Sequence, residues 1–227
     1  MNLLEFARGP ALAVSLTVFV LGTLWRLAHV LMRPRVPDLS PPRAGTPPDW
    51  VGAWHGVWRG MWPRKDFSGS AWFVAANGYV FHIGLALVFF GYAPHIAFVH
   101  RLTGLAWPAL PDPVMYLAAG ATMISLLMAL VIRLTSPVHR LISKADDTIT
   151  WMVTFLPLVT GMAVTAGPSA GVLTRAHVVY GGPLALHLLS LELLLLWFPF
   201  GKLMHALLFV FSRSATGMRF NRRGVRV

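Results

Sequence analysis

The chain has 227 residues, of which 56% are hydrophobic and 12% are charged, and its mean hydropathy is +0.64. This composition is typical of a membrane protein and excludes a soluble domain with one core. The chain contains no cysteine, which excludes disulfides, thiolate metal sites, iron-sulfur clusters and cysteine-linked haem. The net charge of +11 does not indicate a nucleic-acid partner, because the arginines lie in loops and in the tail, where membrane orientation explains them.

Five apolar runs, each bounded by charged residues, Pro or Gly, predict five membrane-spanning helices, since about 20 residues cross the hydrocarbon core. The predicted helices cover Pro10 to Met32, Ser70 to Val99, Pro113 to Leu134, Thr148 to Ala166 and His177 to Ser212. We therefore expect an all-α integral membrane bundle of five transmembrane helices. The first run is a span and not a signal peptide, because it is long and no small-residue cleavage site follows it.

The positions of Lys and Arg predict how the bundle is oriented, because positive charge stays on the cytoplasmic side. Basic residues cluster in the first connection, in the third connection and in the tail, whereas the second and fourth connections have one each. We therefore expect the N-terminus outside, the C-terminus in the cytoplasm, and a multi-pass location in a bacterial-type cytoplasmic (inner) membrane. Asp146 and Asp147 are then expected to face the cytoplasm as solvated charges.

Two histidines, His187 and His205, lie eighteen residues apart in the last apolar run. Eighteen residues make five helical turns, so on one continuous helix both imidazoles project from the same face, about 27 Å apart along the axis. Ionisable groups inside lipid are costly and usually mark a relay, a cavity or a cofactor. One helix with two buried ligands at opposite membrane depths therefore suggests two stacked cofactors.

The second span carries two histidines that can pair with these. In the predicted orientation, His82 lies in the cytoplasmic half and can face His205, and His95 lies toward the outer end and can face His187. Bis-histidine ligation inside a helical bundle is a standard way to hold b-type haem, so we expect two haem b groups. On an ideal helix His82 and His95 are about 220° apart, and a kink at Pro94 is expected to correct that angle.

Three stretches form a recognisable pattern: Phe81 to Tyr92 (FHIGLALVFFGY), Ser136 to Asp147, and the helix from His187 through WFPFGKLMH to His205. They resemble the gamma subunit of respiratory nitrate reductase and its wider group of membrane di-haem cytochromes b. The resemblance implies quinol oxidation near the outer face and an iron-sulfur subunit, with its catalytic oxidoreductase subunit, on the cytoplasmic face. By motif, it implies that His82 and His205 bind the inner haem iron and that His187 supplies one ligand of the outer haem iron.

The chain departs from this pattern at two places. Nitrate reductase members have the remaining outer ligand directly after the glycine that corresponds to Gly91, and here that position is Tyr92. Tyrosine is a poor axial ligand for a low-spin electron-transfer haem, so we assign the outer ligand to His95, with His100 as the weaker alternative. The third helix also begins without the lysine that those members have in the quinol pocket, which indicates an altered quinol site and a branch serving another cytoplasmic enzyme.

Further residues are candidates for roles beside the haem ligands. Arg140 and Lys144 are expected to pair with haem propionates, although positive-inside bias explains them as well. Glu192 lies in the leucine-rich last span, where an acid is expensive unless it is paired or protonated, so proton release and a structural hydrogen bond both remain open. His177 is either interfacial or part of a quinol or propionate pocket. Glu192, His177 and Tyr92 are the candidates for quinol and proton chemistry.

The expected organisation has four parts. Residues 1–33 form the first transmembrane helix, 34–69 a Pro/Trp-rich cytoplasmic and interfacial segment, 70–212 a four-helix haem-binding membrane core, and 213–227 a basic cytoplasmic tail. Within the second part, Trp54, Trp58 and Trp62 recur every four residues, which predicts a short helix in the headgroup region. That helix serves as an interfacial anchor, as a docking platform for a redox partner, or as both.

The sequence thus predicts a membrane-anchoring di-haem cytochrome b subunit. It would transfer electrons between the quinone pool in the bilayer and an iron-sulfur partner on the cytoplasmic side. Two alternatives remain open. One is a haem-free multi-span protein, a transporter or assembly anchor, in which the buried His and Glu form a polar path. The other keeps only the inner haem, with Tyr92 marking the loss of the outer one.

Overall fold

A computed structural model of the protein describes residues 2–34, 39–62, 69–166 and 181–225, except for the side chains of Ser70 and Ala166. The described residues form helices and no strands. In chain order the helices are α1 (Leu3–Leu31), α2 (Asp49–Arg59), α3 (Gly69–Gly91), α4 (Ala93–Thr103), α5 (Asp112–Thr135), α6 (Pro137–Ile142), α7 (Ala145–Ala166), α8 (Gly181–Trp197) and α9 (His205–Arg222), with a 3-10 turn at Lys202–Met204.

Among the described helices, four are long and apolar enough to cross a membrane. These candidate spans are Leu3–Leu31, Ala71–Gly91, Asp112–Thr135 and Ala145–Thr165. Helices α8 and α9 qualify together, as one span bent by 76° at the break between them. The all-α prediction is confirmed for this part of the chain, and the structure has four or five candidate spans.

The first span begins earlier than the sequence predicts, at Leu3 and not at Pro10. Asn2 caps it with a capping box, because its side chain accepts a hydrogen bond from Glu5 N (2.9 Å) and the Glu5 carboxylate accepts one from Asn2 N (2.9 Å). Pro10 lies inside the helix, within a π-helical stretch at Ala7–Ala11. Proline has no N–H to donate and its ring crowds the preceding turn, so a local widening of the helix accommodates it.

The last predicted helix, His177 to Ser212, is not continuous. Helix α8 ends at Trp197, and α9 begins at His205. Pro199 causes this break, since proline cannot donate a backbone hydrogen bond and clashes with the carbonyl four residues earlier. The expectation that His187 and His205 share one face of a straight helix is therefore wrong. Residues 167–180, which include His177, lie outside the described part of the chain.

The second predicted span, Ser70 to Val99, is also divided. Helix α3 ends at Gly91, Tyr92 is extended (φ −81°, ψ 126°), and α4 begins with Pro94 in its first turn. Proline is well tolerated at that position, and the kink expected at Pro94 is present as a complete break. Pro94 has no N–H to donate to the carbonyl of Phe90. That carbonyl instead accepts a hydrogen bond from the indole of Trp107 (2.5 Å).

The long helices pack in the sequence α3, α5, α7, α8, α1, and each contacts the next along its length. Polar side chains join several of these pairs, as is common where lipid removes the hydrophobic drive for association. Asn77 Nδ2 donates to Ser125 O (3.0 Å) between α3 and α5, and Trp151 Nε1 donates to Leu126 O (2.8 Å) between α7 and α5. Within the described residues, α3 and α8 are not among the pairs that pack along their lengths.

Helices α1 and α8 run parallel and in register. Gly181 packs against Leu4 near the start of both helices, and Gly22, within α1, packs against Pro199, just beyond the end of α8. The two contacts are the same number of residues apart in each helix. This register places Ser15 of α1 level with Glu192 of α8.

Helices α2 and α9 form a second, separate pair that crosses at glycines. Gly52 and Gly56 of α2 contact Gly217 of α9 backbone to backbone. Around this crossing, Arg222 pairs with Asp49 (3.6 Å), and Asn221 Nδ2 donates to Pro47 O (2.7 Å). The basic tail predicted from residue 213 therefore continues α9 as far as Arg222. The short helix predicted at Trp54, Trp58 and Trp62 is present as α2, with Trp54 and Trp58 exposed on it, but it ends at Arg59, before Trp62.

We expect Gly217→Leu to detach α2 from α9. A Cβ at Gly217 would meet the carbonyl of Gly52 and lie 2.7 Å from Gly56 Cα, so a larger side chain would destabilise the crossing by about 1–3 kcal/mol. Limited trypsin digestion of membranes, with cleavage at Arg43 and Arg59 followed by mass spectrometry, measures the exposure of the α2 segment.

Ala215→Leu is the matched control, because Ala215 is exposed on the same helix and its replacement should leave cleavage unchanged. Equal cleavage rates in Gly217→Leu and wild type would contradict the glycine crossing as the contact that holds α2.

Candidate functional site

The structure brings the four histidines together in two pairs. The ring centroids of His82 and His205 lie 6.0 Å apart, and those of His95 and His187 lie 6.3 Å apart. The imidazole planes are 89° apart in the first pair and 15° apart in the second. These are the pairings expected from the sequence, and they form although both histidine-bearing segments are broken. We call His82 and His205 the inner pair, and His95 and His187 the outer pair.

Backbone carbonyls orient both rings of the inner pair. His82 Nδ1 donates to Gly78 O (2.7 Å), and His205 Nδ1 donates to Lys202 O (2.8 Å). Because a carbonyl can only accept, Nδ1 carries the proton on each ring and Nε2 has a free lone pair. Hydrogen bonding of one imidazole nitrogen is the usual way in which proteins orient the other nitrogen toward a metal.

The outer pair is oriented in a similar way. His95 Nδ1 donates to Val88 O (3.1 Å), and His187 Nδ1 lies 3.3 Å from Thr160 Oγ1. The Thr160 hydroxyl donates its own proton to Leu156 O (2.8 Å), so it can accept from His187. Burial lowers the pKa of His95, which keeps the imidazole in the neutral form.

The spacing within each pair fits two imidazoles that bind one metal ion from opposite sides. With a metal–nitrogen distance of about 2 Å on each side, the centroids of two such rings are about 6 Å apart. Both observed separations agree with this value. The free Nε2 atoms and the ring spacing would suit a flat macrocyclic cofactor with an iron held between the two rings of each pair.

A glycine of α7 leaves room for the outer pair. A Cβ on Gly161 would lie 3.1 Å from His187 Cε1 and 3.3 Å from His187 Nδ1. This is tighter than ordinary van der Waals contact, so a larger residue at this position would push the imidazole away. The position of the His187 ring therefore depends on the absence of a side chain at Gly161.

Tyr92 and His100, the other candidates near the outer pair, are placed differently. The Tyr92 ring lies edge-on to the His95 ring, with centroids 5.3 Å apart. Burial, followed by the neighbouring Tyr116 and Asp112, raises the pKa of Tyr92, so the phenol is neutral at pH 7. His100 is exposed on α4, and among the described ring contacts the partner of His187 is His95.

Three charged residues form a cluster that fixes the break between α8 and α9. Asp147 of α7 is buried, with 7% of its surface exposed, and pairs with Arg133 of α5 (3.0 Å) and with Lys202. The expectation that Asp147 is a solvated charge is therefore wrong. A buried carboxylate is costly unless it is paired, and two cations satisfy it here. Since Lys202 O accepts from His205, this cluster also positions the inner pair.

Two basic residues that were predicted to pair with haem propionates lie away from the histidine pairs. Arg140 and Lys144 are both exposed, and the contact made by Lys144 is a backbone one, from its N–H to Asp147 Oδ2 (2.9 Å). The described contacts link neither side chain to the histidine pairs. His177, predicted to be interfacial or to line a pocket, lies outside the described residues.

Glu192 is buried within α8, with 4% of its surface exposed. Neither carboxylate oxygen has a hydrogen-bond partner among the described residues. The structural hydrogen bond considered for Glu192 is thus not seen in this part of the chain. Its level on α8 is that of Ser15 on α1, whose hydroxyl donates to Leu12 O (3.0 Å).

Arg26 and Lys202 are the residues near the inner pair that the sequence interpretation missed. Together with His205 they line a cavity of about 360 Å³. The sequence does indicate a role for Arg26, because a charge inside an apolar run (TLWRLAHV) costs free energy in a membrane and usually marks a functional site. For Lys202 the useful signal was its place beside Pro199 and Gly201 in the break.

Within the described residues, no group of three or more His, Asp or Glu side chains could hold a metal ion. A site for a bare metal ion with several protein ligands is therefore not formed there. Each histidine pair offers two imidazoles, the number that a bis-histidine haem takes from the protein.

No family model matches the chain. No solved structure matches it. A protein of Nitratidesulfovibrio vulgaris strain Hildenborough, described only as a protein, is 30% identical over 232 residues, covering 95% of this chain and 92% of the relative. With this identity over nearly the full length of both proteins, the chain belongs to the same family as the Nitratidesulfovibrio vulgaris protein.

Proposed function

We propose that the chain is the membrane-anchoring di-haem cytochrome b subunit of a respiratory oxidoreductase, similar to the gamma subunit of respiratory nitrate reductase. The observation that carries this proposal is the presence of two histidine pairs with centroid separations of 6.0 and 6.3 Å. In each ring a hydrogen bond engages Nδ1 and leaves Nε2 free for iron. When bound, haem b supplies one-electron redox chemistry.

The protein's own residues hold and tune the two sites. His82 and His205 hold the inner haem, and His95 and His187 hold the outer one. The hydrogen bonds to Nδ1 fix the ring orientations and raise the basicity of Nε2. The Arg133–Asp147–Lys202 cluster keeps His205 in place from outside the pair.

Glu192 is the candidate for proton handling beside the outer site. A carboxyl group that is 4% exposed and lacks a partner in the described residues can hold a proton that a quinol releases. Tyr92 and His177 remain the other candidates for quinol contact. Their chemistry would accompany electron transfer from the quinone pool to an iron-sulfur subunit and a catalytic subunit on the cytoplasmic side.

The proposed location is a bacterial-type cytoplasmic membrane, with the N-terminus outside and the C-terminus in the cytoplasm. The distribution of Lys and Arg supports this orientation. Helix α9 carries Arg213, Arg219 and Arg222, and its bend of 76° from α8 suits a helix that lies along the cytoplasmic surface. A basic surface there fits an acidic iron-sulfur partner.

The first expected result is a pyridine-haemochrome ratio of two non-covalent haem b groups per purified chain. His205→Ala and His187→Ala should each retain one haem, because each removes a ligand from a different pair, and the double variant should retain none. His139→Ala is the control and should retain two, since His139 contacts Ser136 and no other histidine in the described structure.

A colourless wild-type preparation would reject the proposal and favour the haem-free alternative, in which the histidines and Glu192 form a polar path. One haem that survives His187→Ala and is lost in His205→Ala would instead show that only the inner site binds haem.

The second expected result concerns the ligand opposite His187. His95→Ala should lose the outer haem, whereas Tyr92→Phe and His100→Ala should each keep two. Low-spin EPR spectra identify the haem that is lost, because the angle between axial imidazole planes, 89° in the inner pair and 15° in the outer pair, gives the two irons different signals. Loss of the outer signal in Tyr92→Phe but not in His95→Ala would reassign the ligand.

The third expected result concerns orientation, and the cysteine-free chain makes the measurement simple. In intact spheroplasts an impermeant maleimide should label Thr103→Cys at the end of α4 but not Thr216→Cys on α9, because both positions are exposed and the proposed orientation would put them on opposite sides of the membrane. Thr216→Cys should react after lysis. The reverse pattern would show that the bundle is inserted with the opposite orientation.

A further inference from the structure

A cavity of about 360 Å³ lies beside His205 at the break between α8 and α9. The residues of its wall that matter here are Arg26 of α1, Asp146 of α7, and Lys202 and His205 at the break. The histidine pairs do not account for this cavity. It borders one member of the inner pair and is lined by groups from three elements.

Arg26 is the unusual member of the wall. Its Nε is buried and has no hydrogen-bond partner among the described residues. Arginine stays protonated in proteins, and an unpaired buried guanidinium nitrogen costs free energy. Arg26 also lines the open cavity, so an acceptor that enters the cavity can bind this side chain.

The other charges around the cavity favour an anion as that acceptor. Lys202 is paired with Asp147, and Asp147 also pairs with Arg133. Asp146 adds one negative charge to the wall. Taken with Arg26, these groups leave one positive charge in excess, so a further cation would be repelled and an oxyanion would be attracted.

Arg26 is held at the cavity by the packing of its own helix. Gly22, one turn earlier in α1, contacts Pro199 at the break, and Phe19 packs edge-on against Phe198 with centroids 5.1 Å apart. These contacts fix α1 against the break on the side where His205 begins α9. The guanidinium and the His205 imidazole therefore share one cavity because of packing, and not through a flexible loop.

We propose that this cavity is an oxyanion site and that its occupant is a carboxylate of the haem held by His205. The inference rests on the proposed function, and it transfers the propionate-binding role from Arg140 and Lys144 to Arg26. Haem b carries two carboxylates at one edge of the macrocycle, and an arginine can hold a carboxylate by two parallel hydrogen bonds. A phosphate of an anionic lipid headgroup has the same chemistry and is the competing occupant.

The test compares Arg26→Gln with Arg33→Gln in the haem-loaded protein. Arg33 follows α1, is exposed, and is absent from the cavity wall, so its replacement makes the same charge change outside the site. Redox titration of the split α bands gives the midpoint potential of each haem. In Arg26→Gln the inner haem should shift to lower potential, because loss of a nearby positive charge favours the ferric state, while the outer haem stays unchanged. Arg33→Gln should shift neither.

Two results would overturn the inference while leaving the proposed function intact. One is two bound haems in Arg26→Gln with both potentials unchanged. The other is unchanged potentials together with less co-purified anionic lipid by mass spectrometry, which would make the occupant a lipid phosphate. Failure of the proposed function has a different signature, since wild-type protein would then contain no haem at all.

Arg26→Lys keeps the test decisive if Arg26→Gln does not accumulate. This variant retains the charge but lacks the Nε donor. In redox-difference infrared spectra with ¹³C-labelled haem carboxylates, the labelled band should shift between wild type and Arg26→Lys. An identical band in both proteins would show that Arg26 does not contact the carboxylate.

Discussion

The pairing of Asp147 with Arg133 and Lys202 is the interaction on which the inner half of the structure depends. It joins α5, α7 and the break between α8 and α9 at one buried carboxylate. Because removing one partner of a buried ion pair leaves an uncompensated charge, such clusters tolerate little displacement. The carbonyl of Lys202 in turn accepts from the His205 ring. The ion pairs of Asp147 therefore help to set the orientation of the His205 imidazole, because they hold Lys202, whose carbonyl the imidazole contacts.

The remaining helices complete the scaffold around the histidines. Helix α3 packs on α5, α5 on α7, α7 on α8, and α8 on α1, and the two histidine pairs join the segment of α3 and α4 to that of α8 and α9. Small and polar residues allow the close contacts between neighbouring helices, as in the exchange of hydrogen bonds between Asn77 and Ser125. Tight packing is thus found between neighbouring helices, whereas His95 and His187 are half-buried and His82 and His205 are exposed.

The sequence was sufficient for the helical class, for most span positions and for the pairing of the four histidines. The predicted depth of each histidine explains that success. A rise of about 1.5 Å per residue predicts similar depths for His82 and His205, and for His95 and His187, and these pairs form although both segments are broken. The sequence was insufficient to predict where the helices break. The end of α3, for example, depends on a hydrogen bond from the Trp107 indole to the Phe90 carbonyl. Arg26 was missed for a related reason. Its direction is set by the contact of Gly22 with Pro199, and no local pattern encodes that contact.

The 76° bend between α8 and α9 also has a mechanical consequence. His205 is the first residue of α9, whereas Arg222 is the last, so the histidine sits at the pivot of a lever about 26 Å long. Swinging the tip of α9 by about 5 Å needs a rotation of about 11° on that length, and it moves His205 by only a small fraction of the distance. Helix α9 can thus tilt at its Arg222 end while the imidazole at its base keeps its place opposite His82.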